Sequence, residues 1–271
     1  MAATAAQGSD TVIEVENLVA CYGEHRVLDG VSLQVRKGEI MVIMGGSGSG
    51  KSTLLRYLLG LHRPVSGTVR LFGRDIHRLG ARQWTDLRRK TGVAFQGGAL
   101  FNSMSVGENV RMPLREHTRL DRNTMRIMSR MKLEVVNLSG YEDLMPSQLS
   151  GGMLKRAALA RALIMDPDLL FFDEPSAGLD PVVADELDSL ILRIRDAMQV
   201  SIVVVTHELE SAFKIADRIT VLDKGVILMT GTVDEVRNSD VPRIRNLLTR
   251  THEEQPVDAD DYLRRLTGSM D

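Results

Sequence analysis

A glycine-rich octapeptide between an apolar strand and a helix constrains the fold of this chain more than any other feature. The segment Gly45-Gly46-Ser47-Gly48-Ser49-Gly50-Lys51-Ser52 fits the pattern G-x-x-x-x-G-K-[ST]. It follows five apolar residues, Ile40–Met44, and precedes a leucine-rich stretch, so we predict a helix over Gly50–Leu61. In such a unit the glycines let backbone N–H groups turn around phosphate oxygens, and the helix adds the positive end of its dipole. The sequence therefore predicts a phosphate-binding site.

The residues of this loop are expected to hold a nucleoside triphosphate and its metal ion. Lys51 supplies a full positive charge for the β- and γ-phosphates, and the Ser52 hydroxyl is a ligand for Mg²⁺. A chance glycine-rich turn is the alternative, which the flanking strand and helix disfavour. The predicted nucleotide-binding residues are Gly45, Gly46, Ser47, Gly48, Ser49, Gly50, Lys51, Ser52 and Thr53.

Composition excludes several classes of protein. The single cysteine, Cys21, cannot form an internal disulfide, and no Cys/His cluster suggests zinc, so a reducing compartment is expected. The longest apolar runs are far shorter than the roughly 20 residues of a membrane-spanning helix. The first ten residues lack the basic start and apolar core of a signal peptide. A net charge of −2 argues against binding nucleic acid through bulk charge.

Strand and helix patterns alternate along the chain, which predicts an α/β fold with a mostly parallel sheet. Strands are predicted at Thr11–Glu16, Val31–Val35, Ile40–Met44, Thr68–Phe72, Gly92–Phe95, Leu169–Phe172, Ile202–Val205, Arg218–Leu222 and Val226–Met229. Further helices are predicted at Val106–Leu114, Arg122–Leu138, Leu154–Met165 and Pro181–Met198. Residues 100–165 show no strand pattern, so we expect a helical insert there. Pro113 is expected to end the helix that begins at Val106.

An acidic pair, Asp173 and Glu174, directly follows the apolar run Leu169–Phe172. The carboxyl ends of parallel strands are where α/β sheets bind ligands. We therefore predict that Asp173 holds Mg²⁺ and that Glu174 orients or deprotonates an attacking water. Taken alone, the pair could equally face solvent at a strand end, but the phosphate loop favours the catalytic interpretation.

A second anion-binding helix start is predicted at Leu149-Ser150-Gly151-Gly152-Met153, which opens the helix that carries Lys155 and Arg156. Ser150 is a good N-cap, and the glycines expose backbone N–H groups. An ordinary capped helix is the alternative. Two phosphate cradles suggest that one nucleotide is contacted twice, by one chain or by two.

Three single residues complete the predicted site. Gln96 follows a short strand, and His207 follows the strand that ends at Thr206. Tyr22 precedes the phosphate loop and could stack on a base. Each has an ordinary structural alternative, which is a surface glutamine, a structural histidine or a core tyrosine.

The order of these motifs resembles the nucleotide-binding subunits of ABC transporters. The resemblance covers residues 11–240 and leaves 241–271 as a C-terminal extension. It implies a P-loop NTPase fold of the ABC type, with a mostly parallel core sheet, an antiparallel β subdomain and a helical subdomain at about 100–165. It also implies ATP hydrolysis with Mg²⁺ by a homodimer, in which the signature motif of one subunit closes on ATP held by the other.

The resemblance carries over to single residues of this sequence. Tyr22 matches the adenine-stacking aromatic residue, Gly45–Ser52 match the Walker A loop, and Gln96 matches the Q-loop. Leu149–Met153 match the signature, and Asp173 and Glu174 match the Walker B pair. Ser176–Asp180 match the D-loop, and His207 matches the switch histidine. The implied catalytic residues are Lys51, Gln96, Glu174 and His207, and the implied metal ligands are Ser52, Gln96 and Asp173. Ser150, Gly151, Gly152 and Asp180 are implied nucleotide contacts.

One departure points to a subgroup, because Met153 stands where the usual signature has glutamine. Met153, Gln96–Phe101, Pro113–Thr118 and Arg156–Arg161 together resemble the ATPases of Mla systems, which carry phospholipid between the inner and outer membranes of diderm bacteria. This narrower resemblance implies a peripheral position on the cytoplasmic face of the inner membrane, through a membrane permease (MlaE-like). It also implies a STAS-domain protein (MlaB-like) and, indirectly, a periplasmic MCE lipid-binding protein (MlaD-like). The alternatives are an importer subunit for an amino acid or metal, and a soluble ABC ATPase outside transport.

Three surface features leave alternatives open. Arginines at 111, 115, 119, 122, 126 and 130 have helical spacing, which predicts a basic face that is either solvated or docked on a partner or on anionic headgroups. Met125, Met128 and Met131 form either part of the core or an adaptable partner surface. The acidic tail with Tyr262, Leu263 and Leu266 is either disordered or packed on a neighbouring subunit.

Overall fold

The structure is a computed structural model that describes residues 10–249 of the chain. The strands are β1 (Thr11–Tyr22), β2 (His25–Arg36), β3 (Ile40–Met44), β4 (Ser66–Leu71), β5 (Arg74–Asp75), β6 (Thr91–Ala94), β7 (Leu169–Asp173), β8 (Ser201–Thr206), β9 (Arg218–Asp223) and β10 (Val226–Gly231). The helices are α1 (Lys51–Leu58), α2 (Ala81–Arg89), α3 (Val106–His117), α4 (Arg122–Val135), α5 (Gly151–Leu163), α6 (Pro181–Met198), α7 (Leu209–Ile215), α8 (Val233–Arg237) and α9 (Pro242–Thr249). The tail residues Tyr262, Leu263 and Leu266 lie outside the described residues.

A six-stranded sheet in the order β10-β9-β3-β8-β7-β6 forms the centre of the fold. The five strands from β9 to β6 are parallel, and only β10 runs antiparallel to its neighbour β9. All residues of β3 and β8 are buried. Both faces of the sheet are covered, which explains why these strands are continuous apolar runs. The predicted α/β class with a mostly parallel sheet is confirmed.

Alternate residues of β3 face two separate hydrophobic cores, because successive side chains of a strand point to opposite faces. Val42 and Met44 pack in the core that lies against α3, α5 and α6. Met41 and Ile43 pack in the core that the second sheet covers. This second sheet has the order β2-β1-β4-β5 and is antiparallel throughout, which confirms the expected antiparallel β unit.

Three helices, α3, α4 and α5, form the helical insert between β6 and β7. The prediction that Pro113 ends the first of them is wrong, because α3 continues to His117. Pro113 lacks only its own N–H, and the buried Leu114 accepts a hydrogen bond from Thr118 N at 2.9 Å, which continues the helical ladder.

The predicted arginine face divides at the 118–121 turn, since α3 ends at His117 and α4 begins at Arg122. Five of the six arginines therefore lie on two helices that pack against each other, and Arg119 lies in the turn between them. The methionine stripe is also divided. Met125 and Met128 pack against the core, whereas Met131 is 60% exposed.

Four helices are absent from the sequence prediction: α2, α7, α8 and α9. Each is short, and the nine residues of α2 include one buried side chain, Leu87. Over such lengths, the helical spacing of apolar residues is too weak to detect in the sequence. No helix within residues 10–249 combines the length and apolar character that crossing a bilayer requires.

Candidate functional site

A cleft of about 980 Å³ lies at the carboxyl edge of the core sheet. Here β3, β7 and β8 end side by side, since Met44 pairs with Thr206 and Asp173 pairs with Val205. The cleft is lined by Gly45, Gly46, Ser47, Gly48, Lys51, Ser52, Gln96, Glu174, His207, Glu208, Leu209, Asp223, Arg243, Asn246 and Leu247. Residues from the predicted Walker A loop, Q-loop, Walker B pair and switch histidine thus meet in one place.

Glycine is required at both ends of the 45–50 loop. A Cβ atom on Gly45 would lie 2.1 Å from the backbone oxygen of Leu222, and Gly50 has a φ of +105°. A Cβ atom on Gly46 or Gly48 would meet no atom within 4 Å, which leaves their backbone open to a ligand. The loop therefore has the shape of a cradle for phosphate oxygens.

Lys51 lies at the base of this cradle, 8% exposed. Its ammonium donates hydrogen bonds to the carbonyl oxygens of Gly45 at 2.8 Å and Gly46 at 3.0 Å. Burial lowers the pKa of Lys51, and the negative charges of Glu174 and Asp173 oppose that effect. An anionic ligand in the cradle would further favour the charged form of this lysine.

Asp173 has a buried oxygen, Oδ1, without a hydrogen-bond partner. Burial, and secondarily the charge of Glu174, raises the pKa of Asp173. A buried carboxylate oxygen with no donor suits a hard cation. No group of three or more His, Cys, Asp or Glu side chains able to hold a metal occurs within residues 10–249. Ser52 and Asp173 therefore fit Mg²⁺ only where phosphate oxygens and water complete its coordination, as Mg²⁺ commonly requires.

Glu174 is 8% exposed and is held through both its side chain and its backbone. Its Oε2 accepts a hydrogen bond from Thr206 Oγ1 at 3.1 Å, and its Oε1 lies 2.9 Å from His207 Nδ1. Its backbone N–H donates to Val205 O at 2.8 Å, and its carbonyl accepts from Lys155 Nζ at 3.0 Å and from Ala177 N at 3.3 Å. The φ of Glu174 is +49°, in the left-handed region that side chains rarely adopt. A carboxylate fixed in this way beside the cradle can act as a general base on a water.

Two side chains in this region were missed at the sequence level. Arg161 donates hydrogen bonds to the carbonyls of Gly98 at 2.8 Å and Ala99 at 2.7 Å, and so fixes the segment that follows Gln96. The sequence carries no local signal for a contact across 62 residues. Thr206, which contacts Glu174, directly precedes His207, and its place at the end of β8 was a usable signal.

The predicted signature residues do not line the cleft of their own chain. Ser150 caps α5 by accepting a hydrogen bond from Met153 N at 3.3 Å. A Cβ atom on Gly152 would lie 2.7 Å from Val183 Cγ1, so the start of α5 packs closely against α6. The side chain of Met153 packs on the core, where glutamine would bury an amide. The two predicted phosphate cradles therefore do not meet within one chain.

Asp180 and Tyr22 also lie outside the residues that line the cleft. Asp180 caps α6 by accepting hydrogen bonds from the backbone of Val182 and Val183, each at 3.1 Å. Tyr22 is 45% exposed, and its hydroxyl accepts a hydrogen bond from Arg56 at 3.3 Å. Its role in base stacking stays a prediction.

Helix α9 adds a wall to the cleft that the sequence did not indicate. Arg243, Asn246 and Leu247 of this helix line the cleft. Arg243 forms an ion pair with Asp223 at 2.7 Å, which attaches the helix to the end of β9. Helix α9 thus reaches the same cleft as the phosphate loop.

Comparison with known proteins gives consistent results. The family model described as "ABC transporter" matches residues 28–177. The chain is 41% identical, over 95% of its length and 99% of the relative, to the intermembrane phospholipid transport system ATP-binding protein MlaF of Haemophilus influenzae. It is 39% identical to MlaF of Escherichia coli K12, over 89% of the chain and 90% of that protein. It is also 40% identical to the probable ribonucleotide transport ATP-binding protein mkl of Mycobacterium leprae, over 87% of the chain and 68% of that protein.

Solved structures show the same architecture. A dimeric post-hydrolysis state of the ATP-binding cassette MJ0796 bound to ADP and Pi matches with a TM-score of 0.75 and 30% identity, over 82% of this chain and 98% of that one. The structure of cbiO1 from Clostridium perfringens, part of the ABC transporter complex cbiONQ, matches with a TM-score of 0.77 and 28% identity, over 89% and 100% of the two chains.

Proposed function

The chain belongs to the ABC transporter family as an ATP-hydrolysing transport subunit, and from this premise we propose that it drives phospholipid transport between the inner and outer membranes. The observation that carries the proposal is the 41% identity to an intermembrane phospholipid transport ATPase over nearly the whole of both chains. We propose that residues 11–240 form the ATPase domain, with a helical subdomain at 100–165, and that 241–271 form an extension.

The predicted site residues at this edge of the sheet have proposed parts in hydrolysis. ATP supplies the transferable phosphoryl group, and Mg²⁺ neutralises charge on it. Lys51 and the 45–53 loop bind the phosphates, while Ser52, Gln96 and Asp173 hold the metal ion. Glu174 accepts the proton of the attacking water, and His207, 2.9 Å from its carboxylate, keeps water and γ-phosphate aligned.

We propose that the working form is a head-to-tail homodimer. The start of α5 does not line the cleft of its own chain, so a second copy is needed to bring Ser150, Gly151 and Gly152 to the nucleotide. The exposed N-terminal end of α5 and the capped start of α6 at Asp180 would face the nucleotide of the partner. Tyr22 would stack on the adenine base of its own chain's ATP.

The proposed assembly has membrane and periplasmic partners. An MlaE-like permease holds the ATPase on the cytoplasmic face of the inner membrane, and Gln96 passes the hydrolysis-dependent change to it. An MlaB-like STAS-domain protein binds the ATPase, and an MlaD-like MCE protein receives or delivers lipid on the periplasmic side. The 39–41% identity to two MlaF proteins is the support for these partners.

The test is purification of the chain with the membrane proteins that bind it, followed by reconstitution in phospholipid vesicles. ATP-dependent transfer of a labelled phospholipid to acceptor vesicles is expected, and the same complex with Glu174→Gln is the matched control without turnover. A copurified permease that holds an amino acid or a metal ion, with no ATP-dependent lipid transfer, would overturn the phospholipid assignment and leave the ATPase assignment intact.

A further inference from the structure

Glu174 is contacted from two different parts of the fold. Three of its contacts come from the end of β8 and the residue after it: the backbone of Val205, the hydroxyl of Thr206 and the ring of His207. Two more reach its backbone carbonyl, which accepts hydrogen bonds from Lys155 Nζ of α5 at 3.0 Å and from the local Ala177 N at 3.3 Å. Lys155 thus connects the helix of the signature motif with the backbone of Glu174 in the same chain.

The surroundings of Lys155 fix the position of its ammonium. The residue lines a narrow crevice whose other walls are mostly apolar and include Ala94, Phe172 and Leu187. Burial lowers the pKa of Lys155, and the charges of Glu174 and Asp173 counteract that effect. A lysine in such a place is held by its stem as well as by its hydrogen bond. Its head therefore has little freedom to leave the Glu174 carbonyl.

The backbone of Glu174 needs such a contact. Its φ of +49° places the residue in the left-handed region, which is unfavourable for residues other than glycine, asparagine and aspartate. Strained backbone persists where surrounding contacts determine it. The hydrogen bond from Lys155, shorter than the local one from Ala177 N, fixes the carbonyl end of this residue, and the bond from its N–H to Val205 O fixes the other end.

We propose that Lys155 is a positioning residue for ATP hydrolysis, which acts by holding the Glu174 backbone so that the carboxylate keeps its place in the cleft. The lysine lies in the second turn of α5, and Ser150 caps the same helix. About five residues of rigid helix, or about 7 Å, separate Ser150 from Lys155. A displacement of the α5 start is therefore transmitted through this stretch to Lys155 and from there to Glu174.

This inference rests on the proposed homodimer in one respect. If the start of α5 binds the nucleotide of the partner, Lys155 connects the nucleotide in one site with the catalytic carboxylate of the other. Cooperative hydrolysis then depends in part on Lys155, while the positioning of Glu174 does not depend on the dimer.

The test compares Lys155→Met, which keeps most of the stem and removes the charge, with Lys155→Arg, which keeps a cationic donor. The matched control is Lys132→Met, because Lys132 also lies in the helical insert and pairs with Asp166 away from the cleft. We expect Lys155→Met to lower kcat at least about tenfold, the lower limit of the rate equivalent of one hydrogen bond involving a charged group, with the Kd for ATP unchanged. Lys155→Arg is expected to recover most of the loss, and Lys132→Met to behave as the wild type.

A readout without turnover separates positioning from general damage. Hydrogen exchange of residues 174–180, measured without nucleotide, is expected to rise in Lys155→Met while exchange in the rest of α5 stays unchanged. Faster exchange throughout α5, or a weaker Kd for ATP, would overturn the proposal in favour of a structural role. An unchanged kcat in Lys155→Met would also overturn it.

The coupling between sites has its own measurement. The Hill coefficient for ATP is expected to exceed one in the wild type and to fall towards one in Lys155→Met. A lowered kcat with an unchanged Hill coefficient would refute the coupling and retain the positioning role. Absence of an ATP-dependent dimer in Glu174→Gln would refute the proposed homodimer, while the kcat comparison would still test Lys155.

Discussion

Replacing Thr206 by valine tests the arrangement around Glu174 most directly. The substitution keeps the shape of a fully buried side chain and removes its hydroxyl. That hydroxyl donates to Glu174 Oε2 at 3.1 Å and accepts from the Glu208 N–H at 3.0 Å. A hydrogen bond to a charged group contributes about 1.5–3 kcal/mol and a neutral one about 1 kcal/mol. We therefore expect the free energy of unfolding to fall by about 2.5–4 kcal/mol.

The same change is expected to slow hydrolysis. If the whole contribution of the Thr206–Glu174 bond is lost from the transition state, kcat falls by about 10- to 150-fold. Urea denaturation without nucleotide measures the first effect, and steady-state ATP hydrolysis at saturating ATP measures the second. Thr206→Ser keeps the hydroxyl and is expected to stay near the wild type in kcat. A Thr206→Val protein with wild-type stability and wild-type kcat would refute the contribution of the Thr206–Glu174 hydrogen bond to stability and hydrolysis.

Three further substitutions test other parts of the structure. Glu174→Gln is expected to bind ATP with turnover reduced at least 100-fold and to accumulate as a dimer on gel filtration, which a near-normal rate would contradict. Asp188 is 3% exposed and accepts a hydrogen bond from Ser211 Oγ at 2.6 Å, and burial raises its pKa. Its ionisation therefore costs the folded state stability as pH rises above the unfolded value of about 3.9, so the free energy of unfolding of Asp188→Asn, relative to that of the wild type, should increase as pH rises from about 4 in urea titrations. A pH-independent difference would contradict the buried carboxyl. Arg161→Met removes both hydrogen bonds to the 98–99 backbone, which is expected to lower the free energy of unfolding by about 3–6 kcal/mol and to speed hydrogen exchange at residues 96–100. Unchanged exchange there would exclude the restraint.

The elements that the sequence predicted well are those with strong local signals. β3 and α6 begin and end where predicted, because a fully buried strand and a long helix with proline at its first position have clear patterns. The 45–52 loop was predictable because its glycines, Lys51 and Ser52 follow a short fixed spacing. β1 and β2 were predicted too short, because their solvent-facing polar residues weaken the apolar pattern over twelve residues each.

The contacts that sequence could not give are those between distant segments. Lys155 meets the backbone of a residue 19 positions away, and Thr206 meets a side chain 32 positions away. The N-cap predicts where α5 begins, but it does not predict which residue the lysine in its second turn contacts. Such contacts depend on the register of β7 against β8 and on the packing of α5 over the sheet.

Helix α9 gives the cleft a feature that matters for selective inhibition. The residues matched by the family model end at 177, whereas Arg243 and Asn246 line the same cleft as the phosphate loop. A compound that competes with ATP at the phosphate loop contacts residues within the matched region. A compound that also extends to the Arg243–Asp223 pair would contact residues beyond that region. The wall formed by α9 therefore offers a ligand contacts in addition to those of the nucleotide-binding motifs.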